Sequence, residues 1–124
     1  MKVKIDTKEK IHAITVLERS LSASMTEELD VVLLKYLQND PKNVVLNLKE
    51  LEHIDNEIAE KLVNVQQKFY ESKVSLVICE LQPAVEKILD ELDLLEIMNV
   101  TITESEATDI VQMEEIEREL LGDE

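Results

Sequence analysis

Short β-branched runs alternate with amphipathic helical patterns along this chain, and that alternation predicts an α/β domain with a mostly parallel sheet. Three observations carry the expectation. "NVVLNL" and "VSLVIC" are short, apolar on both sides and framed by turn residues, as strands buried on both faces are. The segments between such runs have helical periodicity, which makes them crossovers, and crossovers between parallel strands are right-handed. The first β-rich run leads into a second through "KEK", which predicts an antiparallel strand at the edge. The predicted order is β-β-α-β-α-β-α-β-α in one domain, residues 1–124, with no linker, repeat or low-complexity segment.

"VKIDT" alternates Val3 and Ile5 with Lys4 and Asp6, whereas "IHAITVLE" is apolar on both sides in its middle and reads as an interior strand. The loop "RSLSAS" is predicted to end in a capping box, Ser24 with Glu27. The helix it opens carries Met25, Leu29, Val32, Leu33, Tyr36 and Leu37 at helical spacing, and Asn39, Asp40 and Pro41 stop it. After "NVVLNL", the segment "HIDNEIAEKLVNVQQKFYE" places Ile58, Leu62, Val65 and Phe69 on one helical stripe. Gln82 and Pro83 open the next helix, with proline where its missing N–H costs nothing, and Val85, Ile88, Leu89 and Leu92 form its inner face. "NVTIT" is a short last strand. Ser105 is expected to cap a final acidic helix with Ile110, Met113 or Val111, Ile116 and Leu120 turned inward and Gly122 just past its end.

Composition excludes several function classes. The formal net charge is −15, so phosphate backbones and anionic membrane surfaces are repelled, while a basic protein partner is permitted. Cys79 is the one cysteine, which rules out an intramolecular disulfide and points to a reducing, cytoplasmic compartment. No apolar run approaches the length of a membrane span. The same charge predicts a monomer or a weak dimer, because identical acidic surfaces repel. The single glycine, Gly122, leaves no material for a phosphate cradle, and no cofactor or metal is expected. Neither His12 nor His53 sits in a recognisable nucleophile–base context, and Cys79 lies within an apolar run, as a buried thiol does.

The stretch with something to explain is "HIDNEIAEKL", where Asp55, Asn56 and Glu57 meet at a strand-to-helix junction. As helix chemistry alone, Asp55 or Asn56 is a favoured N-cap, and Glu57 in the first turn complements the dipole by about 0.3–1 kcal/mol.

The order of the whole chain adds a further reading. "LSASMTEEL", "NVVLNLKELEHIDNEIAEKL" and "VSLVICELQPAVEKILDELDLLEIMNV" together resemble the STAS domain, the family of bacterial anti-sigma factor antagonists, over roughly Val3 to Leu121. The resemblance implies a curved, mostly parallel five-stranded sheet with helices packed largely along one side. It also implies a regulated Asp-Ser-Ser-Gly loop, whose second serine is phosphorylated by a partner kinase that is also an anti-sigma factor. Here the aspartate is kept as Asp55, while Asn56, Glu57 and Ile58 replace the two serines and the glycine. Where the family has Gly-x-Leu-Asp upstream, this chain has Arg19, Ser20, Leu21 and Ser22, and Asp93 replaces a glycine before the last strand. Glutamate has no hydroxyl, so position 57 accepts no phosphoryl group.

The leading expectation is a non-catalytic interaction module in bacterial signalling. It would bind an anti-sigma factor or serine kinase, a phosphatase or a sensor through Ser20, Ser22, Asp55, Asn56, Glu57, Ile58 and Lys61. A second reading is a cytoplasmic STAS subunit of a lipid or anion transport complex. A third is a small enzyme or ligand-binding domain using His53, Asp55 and Glu57. Fold alone does not choose among them.

Overall fold

A computed structural model describes residues 1–8, 10–38 and 41–121. Its strands are β1 (Val3–Lys8), β2 (Ile11–Val16), β3 (Ser20–Leu21), β4 (Asn43–Asn47), β5 (His53–Ile54), β6 (Leu76–Cys79) and β7 (Val100–Thr101). The α-helices are α1 (Thr26–Leu34), α2 (Asn56–Glu71), α3 (Pro83–Glu91) and α4 (Glu104–Leu121). A five-stranded sheet runs in the order β1-β2-β4-β6-β7, with β1 antiparallel to β2 and every other neighbour parallel. This is the predicted α/β arrangement with its antiparallel edge. Every residue of β4 and β6 is buried, as their two-sided apolar sequences require.

Three helices cover one face of the sheet. Leu29 and Leu33 of α1, Ile58, Leu62, Val65 and Phe69 of α2, and Val85 and Leu89 of α3 enclose Ile14, Val44, Leu46 and Ile78. The predicted α2 stripe is buried in full; truncating Phe69 at its C-terminal end would cost about 3–5 kcal/mol. Among the described residues the opposite face is covered by α4, through Ala107 and Val111 against Ile11, Val45, Val77 and Cys79. The helices therefore lie largely, not wholly, on one side.

Several local expectations are corrected. The Ser24–Glu27 capping box does not form, because the chain first makes a 3₁₀ turn at Ala23–Met25 and Ser24 Oγ bonds Ser22 Oγ at 2.9 Å. Ser105 does not cap α4. Thr103 does, in a reciprocal box: its Oγ1 accepts the Glu106 N–H at 3.1 Å, and Glu106 Oε1 accepts the Thr103 N–H at 3.1 Å. Met113, Ile116 and Leu120 point outward, 59%, 55% and 80% exposed. The inner face of α4 continues instead from Ala107 and Val111 into Glu114, Glu115 and Arg118. Asn39, Asp40 and Gly122 lie outside the described residues; before them α1 ends at Leu34 and tightens into a 3₁₀ turn over Lys35–Leu37.

Those polar residues of α4 meet the starts of β4 and β6. Asn43 Oδ1 accepts the Ser75 N–H at 2.8 Å and Arg118 Nη2 at 3.2 Å. Ser75 Oγ and Tyr70 Oη both donate to Glu114 Oε1, at 2.6 and 2.7 Å. Burial, then the bond to Glu114, pushes the Tyr70 hydroxyl up to about 12. Three corners that favour glycine are taken by other residues: Lys73, Glu80 and Asp93 have φ of 64°, 58° and 59°. Lys73 and Asp93 each end a helix, where Val74 N–H reaches Phe69 C=O and Leu94 N–H reaches Leu89 C=O.

Candidate functional site

Beyond β4 the chain turns on buried Leu48 and Leu51 and runs back as β5 beside β3. The pairing is parallel, with Ser20 opposite His53 and Leu21 opposite Ile54. Leu21 and Ile54 are the buried anchors, while Ser20 and His53 face solvent. Arg19 C=O accepts the Glu52 N–H at 2.7 Å and the His53 N–H at 3.2 Å, and Leu21 C=O accepts the Asp55 N–H at 3.1 Å. Two loops distant in sequence thus form one surface at the start of α1 and α2. The sequence reading named residues of both loops but missed this second, two-stranded sheet.

Asp55 closes the joint. It occupies the N-cap position of α2 in extended conformation, yet its carboxylate makes no cap bond to its own helix. Oδ2 instead accepts the Ala23 N–H at 2.7 Å, satisfying a donor at the start of the turn that leads into α1. Oδ1 lies 3.4 Å from His53 Nε2. Asp55 is thus a clamp between loops, which corrects its expected role as a side-chain cap of α2.

Asn56 and Glu57 open α2, both exposed, and among the described residues neither side chain has a hydrogen bond or ion pair. Ser22 is half-buried. Ile58, expected on the same surface, is fully buried, because it begins the inward stripe of α2. Lys61 is largely committed. Its Nζ lies 2.9 Å from Asp30 Oδ2, with the two side chains 26% and 28% exposed, tying α2 to α1. The exposed, uncommitted part of the predicted set is therefore Ser20, Asn56 and Glu57.

His12 is half-buried, with Nδ1 at 2.8 Å from Thr7 Oγ1 and its ring 4.7 Å from that of Tyr36. Burial first, then the charges of Lys42 and Lys35, holds His12 below the usual histidine range. The Cys79 thiol is buried and pushed up to about 12, by burial and then by Glu104 and Glu80, so it stays protonated and unreactive. Among the described residues no group of three or more His, Cys, Asp or Glu side chains is placed to hold a metal.

Comparison with known proteins follows the same lines. The STAS domain family matches residues 2–107. An anti-sigma-factor antagonist (STAS) domain protein from Planctomyces limnophilus superposes with a TM-score of 0.74 at 18% identity, covering 89% of this chain and 97% of that one. The anti-sigma factor antagonist SpoIIAA in its unphosphorylated form does so with a TM-score of 0.73 at 15% identity, covering 90% and 96%. The murine Solute Carrier 26 family member A9 anion transporter matches with a TM-score of 0.72 at 11% identity, covering 87% of this chain and 18% of the transporter. At such identities the likeness is one of fold. No curated protein matches the chain in sequence.

Proposed function

The chain belongs to the STAS domain family, and on that premise we propose that it is a non-catalytic protein-interaction module of bacterial signalling, in the manner of an anti-sigma factor antagonist. The observation that supports this most is the joint of the two loops, with Glu57 exposed and unengaged at its centre. A surface held by backbone pairing and a half-buried carboxylate bond is ordered before a partner arrives, which lowers the entropic cost of docking. The partner is a serine kinase acting as anti-sigma factor, a phosphatase or a sensor protein, and the working compartment is the cytoplasm. Among the described residues no helix is long and apolar enough to cross a membrane.

Glu57 defines the state of the module. A phosphoserine carries about −1.5 to −2 charges and glutamate one, so Glu57 imitates the phosphorylated form in part and permanently. At the N-terminus of α2 that anion is favoured by the free N–H groups and the dipole. A partner requiring an uncharged hydroxyl is excluded; one presenting Arg or Lys is bound without any kinase step. Calorimetric titration with a serine kinase of the anti-sigma factor type, a phosphatase or a sensor protein from the same organism tests the proposal. Binding that weakens in Glu57→Lys supports it. Binding indifferent to Glu57, or a phosphate mapped by mass analysis to residues 53–62, overturns it. The likeness to the transporter's STAS region favours a second reading, a subunit of an anion transport complex. Co-purification with a permease would establish that reading.

A further inference from the structure

β7 is the last strand of the five-stranded sheet, and its outer side pairs with no strand among the described residues. Ile78 N–H donates to Asn99 C=O at 3.0 Å, so Asn99 and, by alternation, Thr101 turn their backbone groups toward β6. Val100 and Ile102 therefore direct N–H and C=O groups outward. Side chains alternate as well. Val100 lies opposite Ile78, on the face under α1–α3, and Ile102, 80% exposed, follows on that same face. Thr101 lies opposite Cys79, on the face under α4. Along this edge runs a cleft of about 450 Å³ with Leu81, Leu95, Met98, Val100 and Ile102 as its apolar lining. Two acids and no base border it among the described residues: Glu86 from α3 on one face, Glu106 from α4 on the other. Glu86 is exposed and has no hydrogen bond or ion pair among the described residues. Glu106 binds Thr103 through Oε1 and leaves Oε2 unengaged.

We propose that the β7 edge is a docking site for an extended, basic segment of a partner protein, which adds a strand antiparallel to β7. The residues of that segment opposite Val100 and Ile102 exchange backbone hydrogen bonds with them and set two apolar side chains into the cleft. The residue between those two stands opposite Thr101 on the α4 side, where a Lys or Arg meets Glu106. A further basic residue at the flank meets Glu86. The fitting sequence is apolar–basic–apolar with a basic flank. Charged residues and proline ordinarily protect an open edge from such pairing. The opposite edge, β1, has Lys4 and Lys8; residues 99–103 hold neither a charge nor a proline. The same edge of a second copy is a poor occupant, because its Glu86 and Glu106 would face their own kind under a net charge of −15. This surface shares no residue with the joint of the two loops around Glu57.

The probe is a capped heptapeptide alternating lysine and valine, titrated into the ¹⁵N-labelled chain in about 0.15 M salt. The Val100 and Ile102 amides are expected to shift most, with a Kd below about 500 μM. The same peptide N-methylated at its valines keeps charge and apolar surface but cannot donate to the edge, and is expected to bind at least about tenfold more weakly. Ile102→Pro removes the matching N–H from the protein, at an edge position where proline is tolerated, and should weaken binding alike. Glu86→Lys should weaken it about threefold, and a glutamate–valine peptide should not bind. Equal binding of the N-methylated peptide, no binding at about 1 mM, or largest shifts away from Val100 and Ile102 overturns the proposal. So do Val100 and Ile102 amides that shift with protein concentration alone, which would place a second copy on the edge. Should circular dichroism show Ile102→Pro unfolded, the N-methylated peptide on the wild type decides the matter alone.

Discussion

Replacing Asp55 by alanine isolates the bond that joins the two loops. Its Oδ2 accepts the Ala23 N–H at 2.7 Å, and a hydrogen bond to an ionised acceptor contributes about 1.5–3 kcal/mol when well shielded. The Asp55 side chain is 39% exposed, so water screens the bond and can replace part of it, which brings the expected loss to about 1 kcal/mol. The backbone bonds from Arg19 and Leu21 to the 52–55 segment survive the change, so β3 and β5 stay paired. The damage is local. Amide hydrogen exchange reports it directly: the Ala23 amide should exchange faster in Asp55→Ala by the factor matching about 1 kcal/mol, roughly fivefold, while the Phe69 amide in α2 follows global stability. Urea unfolding gives the global figure. Asp55→Asn keeps a neutral acceptor and should lose about half as much. An Ala23 amide equally protected in Asp55→Ala, with unfolding unchanged within about 0.3 kcal/mol, would refute the clamp.

Three further outcomes follow from the same structure. Glu57→Ser and Glu57→Gln should each shift partner affinity by about 1 kcal/mol or more in calorimetry, while thermal unfolding moves by only a few tenths. Tyr70 and Cys79 are raised from 10.0 and 9.0 to about 12 in the folded protein. Their contribution is thus fully present below pH 9 and is lost as pH rises toward about 12, and thermal melts of Tyr70→Phe with Cys79→Ala should show a flatter decline over that window. Asp93→Gly should stabilise the chain by about 0.5 kcal/mol in urea titration, because φ is 59° there and glycine removes the Cβ clash at some cost in unfolded-chain entropy.

Elements long enough to express a period were legible from the residues. β4, β6 and α2 appear with the burial that "NVVLNL", "VSLVIC" and the Ile58–Leu62–Val65–Phe69 stripe predict. β3 and β5 have two residues each, too short for any period, and their pairing depends on where β4 delivers the chain. α4 misled for a different reason. Its inner stripe changes from Ala107 and Val111 to Glu114, Glu115 and Arg118, which bond Asn43 and Ser75, so hydrophobicity pointed to the wrong side in its second half. Ser24 and Thr103 both head a pattern suited to a capping box, and only Thr103 stands directly before an α-helix. Within the candidate site, Asp55, Asn56 and Glu57 were visible as polar residues at a junction. Ile58 was assigned to the surface through its place in the family loop, although its own helical stripe already placed it inside.

The proposed function places partner binding on one surface built from both loops and centred on Glu57. Its most direct test is nuclear magnetic resonance mapping of the ¹⁵N-labelled chain, titrated with a serine kinase of the anti-sigma factor type, a phosphatase or a sensor protein from the same organism. The amides that shift should form one contiguous patch comprising residues 20–24 and 55–57 together, with Glu57 among the largest. Shifts confined to one loop, or gathered on the outward side of α4 around Met113, Ile116 and Leu120, would contradict it.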